Sequence, residues 1–332
     1  MKRPMLLPLV PLYAAGLAFR ELRLQRGWEP VRRLRYPVIS IGNLSVGGSG
    51  KTPLTIALVR LLTARGVHVD VLSRGYGRSS TVPLRVDPGE AVDRYGDEPL
   101  LIARATSVPV YVASERFDAG KLAEAEFLTT QAPRVHVLDD GFQHRQLARD
   151  VDILLANRED WRDHLLPAGN LRESRNAARR ASVIAIPADD RSFEAELRSW
   201  GWTEIVWRIR RRMEVPRIEG PVAAFCGIAR PEQFFDGLRG AGVTLASQRA
   251  FPDHHRYTAR DIDNLLSAAR SAHAVAVVTT EKDAVRMGEL GSAFPANLPL
   301  KTVGLAVDIE DESVVFDWLT ARLTARPAPV SM

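Results

Sequence analysis

The sequence predicts an α/β protein: an α/β/α sandwich core with a second, smaller α/β domain joined to it by a short β-strand linker. Two observations predict this architecture. Short apolar runs alternate with amphipathic helical runs, as where residues 37–41 are followed by residues 54–62. The alternation stops at the basic segment 207–214, which has the period of a strand, and it resumes at residue 222. We therefore expect a core, a connecting strand and a second unit.

The composition limits the class of protein. The chain has 332 residues, of which 45% are hydrophobic and 26% charged, so it is expected to be globular. Its single cysteine, Cys226, excludes a disulfide framework and fits a reducing compartment. The net charge of +5 favours an anionic partner, and we find no nucleic-acid-binding module in the sequence.

The pattern divides the chain into four parts. Residues 1–27 form an amphipathic helix, residues 28–208 the core and residues 209–307 the smaller domain. Residues 308–326 are predicted to form a last helix that can return to the core.

The N-terminal segment has the pattern of an interfacial helix. Residues 4–19 carry no charge, and sixteen residues are fewer than the roughly 20 that a membrane-spanning helix needs. Leu12, Ala15, Phe19 and Leu22 recur at helical spacing and arginines follow them, which is typical of a helix adsorbed on anionic lipid. A cleaved signal peptide and a plain core helix remain alternatives.

A glycine-rich segment, SVGGSGKTP at residues 45–53, separates the first apolar run from the first helical run. A strand, a glycine turn and a helix in this order aim backbone N–H groups at a chain of phosphates. Lys51 would then reach the terminal phosphates, and the Thr52 hydroxyl would bind Mg²⁺. Ser45 stands where the usual G-x-x-x-x-G-K-S/T pattern has its first glycine. The segment predicts a nucleotide phosphate site in a P-loop NTPase-like core.

Two further loops are expected at the carboxyl edge of the sheet. Arg74 and Arg78 lie in a glycine-containing loop after the apolar run 68–72, where they could bind phosphate or form a surface turn. Asp97 and Glu98 open a predicted helix. Carboxylates stabilise a helix N-terminus without any other function, so capping and catalysis both remain open for them.

A pair of aspartates, Asp139 and Asp140, ends another apolar run. Nucleotide enzymes hold Mg²⁺ at such a strand end, although an Asp-Asp-Gly turn is the alternative. Because adjacent residues of a strand point to opposite sides, one aspartate should face the metal and the other the acceptor or a water. Arg172, in the loop 165–173, is a candidate clamp for phosphoryl oxygens.

The second half of the chain contains two polar clusters. Adjacent histidines such as His254 and His255 rarely share one tetrahedral ion, so zinc is disfavoured, while a catalytic histidine and a surface turn remain open. The tetrad TEKD at residues 280–283 differs by one register position from the Asn/Thr-Lys-x-Asp of guanine-reading GTPases. This displacement argues against GTP and leaves base or ribose contacts open.

The ordered set of these motifs resembles the tetraacyldisaccharide 4′-kinases of lipid A biosynthesis. The set covers nearly the whole chain, and it is specific as a set although each motif alone is modest. Its members are Gly42-Asn43, GGSGKTP at 47–53, SRGYG at 73–77, GDEP at 96–99, DDGFQH at 139–144, LPAGNLRE at 166–173, FCGIARP at 225–231, DHH at 253–255 and TEKD at 280–283.

The resemblance implies transfer of the γ-phosphoryl group of ATP to the 4′-hydroxyl of tetraacyldisaccharide 1-phosphate, giving lipid IV(A). It implies ATP and Mg²⁺ as cofactors, with the metal at Thr52 and Asp139. It implies that Asp97 is the general base, oriented by His254 more plausibly than by His255. The implied catalytic residues are Asp97, His254, Asp139, Asp140 and Arg172. The implied ATP-binding residues are Val46, Gly47, Gly48, Ser49, Gly50, Lys51, Thr52, Glu281 and Lys282. The implied substrate-binding residues are Asn43, Arg74, Tyr76, Arg116, Gln143, His144 and Asn170.

The resemblance also implies where the protein works. It indicates a monomeric, peripheral or monotopic enzyme on the cytoplasmic face of the inner membrane, with an anionic membrane surface and a lipid disaccharide 1-phosphate as partners. Because His254 belongs to the smaller domain, we expect that domain to act as a lid whose closure completes the site and excludes water. A GTPase switch of the metallochaperone type and a soluble small-molecule P-loop kinase are the alternative functions.

Overall fold

Strands and helices alternate along the residues that the computed structural model describes, namely 3–48, 50–126 and 132–325. The strands are β1 (Val38–Asn43), β2 (His68–Ser73), β3 (Leu84–Arg85), β4 (Val110–Val112), β5 (Arg134–Asp139), β6 (Val151–Leu155), β7 (Val183–Pro187), β8 (Val206–Glu214), β9 (Val222–Cys226), β10 (Leu245–Ala250), β11 (Ala276–Thr280) and β12 (Leu300–Ile309). The α-helices are α1 (Val10–Gln25), α2 (Lys51–Thr63), α3 (Val92–Tyr95), α4 (Asp97–Thr106), α5 (Arg116–Glu126), α6 (Arg158–Trp161), α7 (Arg191–Ser199), α8 (Pro231–Gly240), α9 (Ala259–Ser271), α10 (Glu281–Met287) and α11 (Glu312–Thr324). Short 3₁₀ helices cover Pro4–Leu9, Arg175–Arg180 and Gly288–Ala293.

The first unit is a parallel sheet with helices on both faces. Its strands lie in the order β8-β7-β6-β1-β5-β2-β4-β3, and the short edge strand β3 runs antiparallel to β4. Alternate residues of one strand enter different cores: Val183 and Ala185 pack with the helices of one face, while Ile184 and Ile186 pack on the other. This two-sided burial is why the strands are almost continuously apolar, and it confirms the predicted sandwich.

A two-stranded antiparallel ribbon joins the second unit to the first. The first residues of β8 pair with β7, whereas Ile209–Glu214 pair with Gly304–Ile309 of β12. The start of β12 then pairs with β11, which leads to the parallel strands β9 and β10. The predicted strand linker is therefore confirmed, but it is made by two strands rather than one. The domain limits at residues 209 and 307 stay a prediction, because the ribbon belongs to both sheets.

The second unit folds back over the first. Helix α10 of the second unit contacts helix α4 of the first. The strands next to these helices in the sequence, β11 and β4, lie far apart in the sheet. At the other end of the chain, Val315 and Leu319 of α11 are buried in the same cluster as Leu58 and Val151 of the first unit. The edge ring contact of Trp318 with Trp207, at 5.8 Å between centroids, adds to this packing.

The N-terminal helix lies on the surface. With the preceding 3₁₀ turn it forms a segment of 22 residues, Pro4–Gln25, whose most apolar window has a mean hydropathy of 1.3. Its length and composition alone would allow it to cross a membrane, and this property by itself does not distinguish a spanning helix from the predicted interfacial one. Every residue of α1 is at least partly exposed, including Leu12 at 75% and Phe19 at 56%, so the core-helix alternative is wrong.

A buried charge cluster joins β2, β5 and α5. Asp70 accepts two hydrogen bonds from Arg134, at 2.9 and 2.6 Å, and one from His136. Glu124 lies 3.6 Å from the other ring nitrogen of His136. Burial disfavours the imidazolium, but the two carboxylates outweigh burial and raise the pKa of His136. Each charge in the cluster therefore depends on the others.

We expect Asp70→Asn to lower the free energy of unfolding by about 3 kcal/mol, because it removes the buried carboxylate that Arg134 and His136 share. Glu90→Gln is the matched control, since Glu90 pairs with Arg94 on the surface and should cost at most about 1 kcal/mol. Urea titration of the two variants measures the difference. Equal losses would contradict the account of the cluster.

Candidate active site

The glycine loop leaves the centre of the first sheet. Strand β1 lies between β5 and β6 and runs parallel to both, so their carboxyl ends meet at one edge. Gly47 and Gly50 have φ values of 93° and 90°, which favour glycine, and Gly50 caps α2 without a side-chain hydrogen bond. The positive N-terminus of a 13-residue helix thus faces the loop. Ser49 lies outside the described residues.

Two cations converge on Asp140 beside this loop. Lys51 Nζ lies 3.5 Å from Asp140 Oδ1, and the Arg172 guanidinium lies 3.3 and 3.4 Å from the two carboxylate oxygens. Burial disfavours the carboxylate, but Lys51 and Arg172 outweigh it and lower the pKa of Asp140. Arg172 also donates to Asn43 Oδ1 and to the carbonyl of Ser45, both at 3.0 Å. A guanidinium and an ammonium held in this way can bind phosphoryl oxygens.

The two aspartates at the end of β5 point in different directions, as the strand geometry requires. Asp140 has a φ of 49°, and its side chain faces the cations, whereas Asp139 is 1% exposed and accepts a hydrogen bond from Thr55 at 2.8 Å. Burial, with the negative charges of Glu98 and Asp140, raises the pKa of Asp139 to about 7. Within the described residues, Asp139 Oδ2 is buried and has no hydrogen-bond partner.

These features fit a divalent cation. Mg²⁺ is usually bound through one or two carboxylates together with phosphates and waters, rather than by a cage of protein ligands. Accordingly, the described part of the chain contains no group of three His, Cys, Asp or Glu side chains that could hold a metal. The Asp139 oxygen without a partner and the buried Thr52 hydroxyl belong to the strand end and helix start where such an ion would sit.

A second carboxylate centre lies where the two units meet. Asp97 lies at the start of α4 and is 5% exposed. Its Oδ2 atom lies 3.2 Å from His254 Nδ1 and accepts a hydrogen bond from Arg286 Nε at 2.7 Å. Burial opposes ionisation of Asp97, but the hydrogen bond from His254 and the charges of Arg286 and Lys282 hold its pKa well below the usual range. His255 instead contacts Asp261 at 3.2 Å. Of the two histidines, the geometry pairs His254 with Asp97.

Close backbone approach explains two glycines of this centre. A Cβ on Gly75 would lie 2.6 Å from the carbonyl oxygen of Tyr95, and one on Gly96 would lie 2.7 Å from that of Tyr76. The two loops can therefore touch only because both residues are glycine. This contact sets Asp97 beside Tyr76, whose ring lies 5.4 Å from the ring of His254.

The tetrad at residues 280–283 spreads its side chains in different directions. Lys282 forms an ion pair with Glu98, and together with Lys51 it lowers the pKa of Glu98 against the effect of burial. Asp283 points into the second unit and is fully buried. Glu281 lies against Gly304 of the ribbon. The structure thus brings Lys282, but not Glu281, to the group around Lys51.

Arg74, Arg116 and His144 lie close enough to influence one another electrostatically, and Arg116 also interacts with Asp140. Burial and the neighbouring charge of Arg74 lower the pKa of Arg116 to about 10. Burial and the charge of Arg116 lower the pKa of His144 to about 3, so this ring is neutral. These three residues form a group that suits an anion.

Three other predicted substrate residues support the loops. Gln143 donates to the backbone of buried Asn43 at 2.8 Å, and the Asn43 side chain holds Arg172 and Ser45. The Asn170 carbonyl accepts from Val46 N at 2.8 Å. In this structure these contacts fix the glycine loop and the Arg172 loop to each other.

Sequence analysis missed three arginines of the site. Arg286 lies on Asp97, and Arg230 forms an ion pair with Asp160, which in turn accepts a hydrogen bond from Ser45 Oγ at 2.7 Å. The Arg211 guanidinium lies 3.1 Å from where a Cβ on Gly50 would be. The period-two pattern of β8 contained a signal for Arg211, because it shares a face with buried Ile209.

A cavity opens between the carboxyl end of β7 and strand β8. Its volume is about 610 Å³, and Arg211 is part of its lining next to the glycine loop. The cavity is lined by Pro187, Ala188, Asp189, Asp190, Ile209, Arg210 and Arg211.

Comparison with known proteins identifies the family of the chain. The profile of the family described as LpxK, tetraacyldisaccharide-1-P 4′-kinase, matches residues 2–324. The tetraacyldisaccharide 4′-kinase of Koribacter versatilis (strain Ellin345) is 41% identical over 320 residues, which cover 93% of this chain and 96% of that protein. The one of Chromobacterium violaceum is 37% identical over 335 residues, covering 97% and 94%.

A solved structure also matches over nearly the full length. The crystal structure of the "apo" form of LpxK from Aquifex aeolicus in complex with ATP superposes with a TM-score of 0.75 and 31% identity. It covers 96% of this chain and 98% of that chain. Together, the family profile, the full-length relatives and the shared fold confirm the resemblance seen in the motifs. The chain belongs to the tetraacyldisaccharide-1-P 4′-kinase family.

Proposed function

We propose that the chain transfers the γ-phosphoryl group of ATP to the 4′-hydroxyl of tetraacyldisaccharide 1-phosphate. One observation carries this proposal: two cations, Lys51 and Arg172, flank a glycine loop at a helix N-terminus, and the buried carboxylate Asp97 of the same unit lies at the interface with the second unit. Phosphoryl transfer requires positioning and charge stabilisation of this kind. Family membership supports this function over a GTPase switch and over a kinase of small soluble molecules.

The phosphate chain of ATP would bind along the glycine loop. In this proposal the amides of Val46, Gly47, Gly48 and Gly50 face the phosphates, with Lys51 and Arg172 on the γ-phosphoryl oxygens. Thr52 and Asp139 would hold Mg²⁺, which neutralises phosphate charge when it is bound. The cavity beside Arg211 supports a position for the nucleoside on the β7–β8 side, and Lys282 would act through Glu98 rather than on the base.

The acceptor would enter from the opposite side, between the two units. The Asp97 carboxylate would take the proton of the 4′-hydroxyl while the sugar oxygen bonds to the γ-phosphorus and the bond to the β-phosphate oxygen breaks, so ADP leaves. His254 orients Asp97, and Asp140 keeps Lys51 and Arg172 in place. Arg74, Arg116 and neutral His144 form the anion-binding wall for the acceptor, with Tyr76 beside the dyad.

Closure of the second unit over the first would complete this site. His254 and Lys282 come from the second unit and contact Asp97 and Glu98 of the first, so the dyad exists only when the units meet. Closure would also exclude water, which otherwise competes with the sugar hydroxyl for ATP.

We further propose a monomeric, peripheral or monotopic protein on the cytoplasmic face of the inner membrane. The support is the exposed apolar surface of the N-terminal helix, with Met5 at 91% and Leu12 at 75% exposure, and the arginines at its end. Such a helix binds an anionic lipid surface through buried apolar area and headgroup contacts. A lipid disaccharide substrate would be presented from the same surface.

Lys51→Ala should lower kcat/KM with labelled ATP and the 1-phosphorylated tetraacyl disaccharide by about 100-fold or more, because a fixed cation at the phosphates is lost. The assay also tests the proposed function, which fails if the wild-type protein does not phosphorylate this acceptor. Lys121→Ala removes an ammonium that is 60% exposed on α5 and should leave the rate unchanged. A wild-type rate in Lys51→Ala would refute the phosphate assignment.

Asp97→Asn should reduce kcat by roughly 10²- to 10⁴-fold through loss of the proton acceptor, while the Kd for ATP stays within about twofold. Equilibrium binding and single-turnover measurements separate the two effects. The control is Asp93→Asn. The Asp93 side chain is 68% exposed, and its ion pair with Arg256, at 3.7 Å, lies on the surface. If Asp97→Asn weakens ATP binding but not the chemical step, Asp97 is not the base.

The double substitution Leu12→Asp with Phe19→Asp should abolish flotation of the protein with vesicles that contain anionic phospholipid, since both side chains are exposed on the helix. Val314→Asp is a matched control. Val314 is 58% exposed, close to Phe19 at 56%, but it lies on α11 rather than on the N-terminal helix. Unchanged flotation of the double variant would exclude the helix as the membrane-binding element.

A further inference from the structure

Arg286 on α10 is the most enclosed cation at the unit interface. Its side chain is 6% exposed, and it reaches Asp97 of the first unit through Nε at 2.7 Å and through a second nitrogen. The same guanidinium donates to the carbonyl of Gly227 and to Asp283, the latter at 3.1 Å. It also lies 3.3 Å from Nδ1 of His254. One arginine thus touches both members of the proposed dyad.

The position of Arg286 is fixed by Asp283. Asp283 is fully buried and accepts hydrogen bonds from Gly227 N at 3.1 Å, Tyr257 OH at 2.9 Å and Thr280 Oγ1 at 2.7 Å. Arg286 is its fourth donor. A buried carboxylate with four donors is a rigid anchor, because moving any donor leaves charge unpaired in the interior. Arg286 follows Asp283 by one helical turn, so the anchor sets the direction of the guanidinium.

This arrangement gives the tetrad at residues 280–283 a role other than base recognition. Thr280 caps α10 and binds Asp283, and Asp283 binds Arg286 rather than facing the carboxyl edge of the first sheet. The aspartate that would read a guanine in a GTPase points inward here. Its contacts lead through Arg286 to Asp97.

We propose that Arg286 is a positioning residue: anchored by Asp283, it fixes the direction of the Asp97 carboxylate and compensates its buried charge when the units are closed. The proposal rests on the proposed function, in which Asp97 receives the proton of the acceptor hydroxyl. Arg286 itself keeps its charge throughout, and it neither gives nor takes a proton. It keeps the Asp97 carboxylate ionised and correctly oriented in a closed site that contains little water.

The charged groups around Asp97 determine how the loss of Arg286 would change the pKa of Asp97. From the second unit, Arg286 and Lys282 of α10 and His254, in the loop between β10 and α9, favour the ionised carboxylate, and Glu98 beside it on α4 opposes it. Asp253 and Asp283 face Arg286 from the other side. Burial of Asp97 persists without Arg286, so removal of the guanidinium leaves a desolvated carboxylate with fewer cations and raises the pKa of Asp97.

The test compares Arg286→Met and Arg286→Lys with wild type over a pH series. Arg286→Met should lower kcat by about 100-fold and move the acidic limb of the pH–rate profile to higher pH, because Asp97 must be ionised to act. Arg286→Lys should restore the position of that limb and part of kcat, and the Kd for ATP should not change. Arg270→Met, which removes an exposed arginine of α9, is the matched control. A purely structural role would lower the amount of folded protein without moving the limb.

A double variant provides a second test if Arg286→Met folds poorly. In Asp97→Asn with Arg286→Met, both charges of the pair are gone. If Arg286 acts through Asp97, the double variant should be no slower than Asp97→Asn alone. Additive losses, or a wild-type pH profile in Arg286→Met, would overturn the proposal. A wild-type protein that fails to phosphorylate the acceptor would instead refute the proposed function.

Discussion

The arrangement of the site depends on the carboxyl end of strand β1. Because β5 and β6 flank β1 in parallel, the glycine loop, the aspartate pair and the residues that follow β6 must meet at one edge. The helix that follows the loop then directs its N-terminus to the same edge. Lys51, Asp139 and Asp140 come together because of sheet order and not because they are near in sequence.

Pairing of buried charge is what then connects the two units. Asp97 and Glu98 open α4 in the first unit, and their counter-charges Arg286 and Lys282 lie on α10 of the second. Buried carboxylates without such partners would be protonated or would destabilise the fold. The electrostatics of the proposed base therefore depend on how the second unit lies over the first. In the proposed mechanism, closure of the second unit would also keep water away from the transferred phosphoryl group.

The N-terminal helix also contacts the catalytic region. The Tyr13 hydroxyl donates to the carbonyl of Arg172 at 2.9 Å, and Arg20 donates to Glu173 at 2.8 Å. Glu173 in turn binds Arg180 at 2.6 Å. The exposed apolar helix is thus held on the loop that carries one of the two cations of the phosphate site. The exposed apolar helix and the loop with Arg172 are therefore directly connected.

The sequence by itself determined the alternation of strands and helices, the glycine loop with Lys51 and the aspartates at the end of β5, because these depend on local periodicity and on short-range spacing. It also indicated that Asp97 and His254 carry chemistry. Arg286 could be found only in the structure, because its partner Asp97 is more than one hundred residues away and no local pattern encodes which side chains meet across a unit interface. The period of β8 indicated the face on which Arg211 lies, but it did not indicate that this side chain reaches Gly50. The same reason explains Asn43 and Gln143, whose side chains support the loops in the fold. Tertiary structure decided these contacts, since the direction of a side chain follows from the packing of distant elements rather than from its neighbours in sequence.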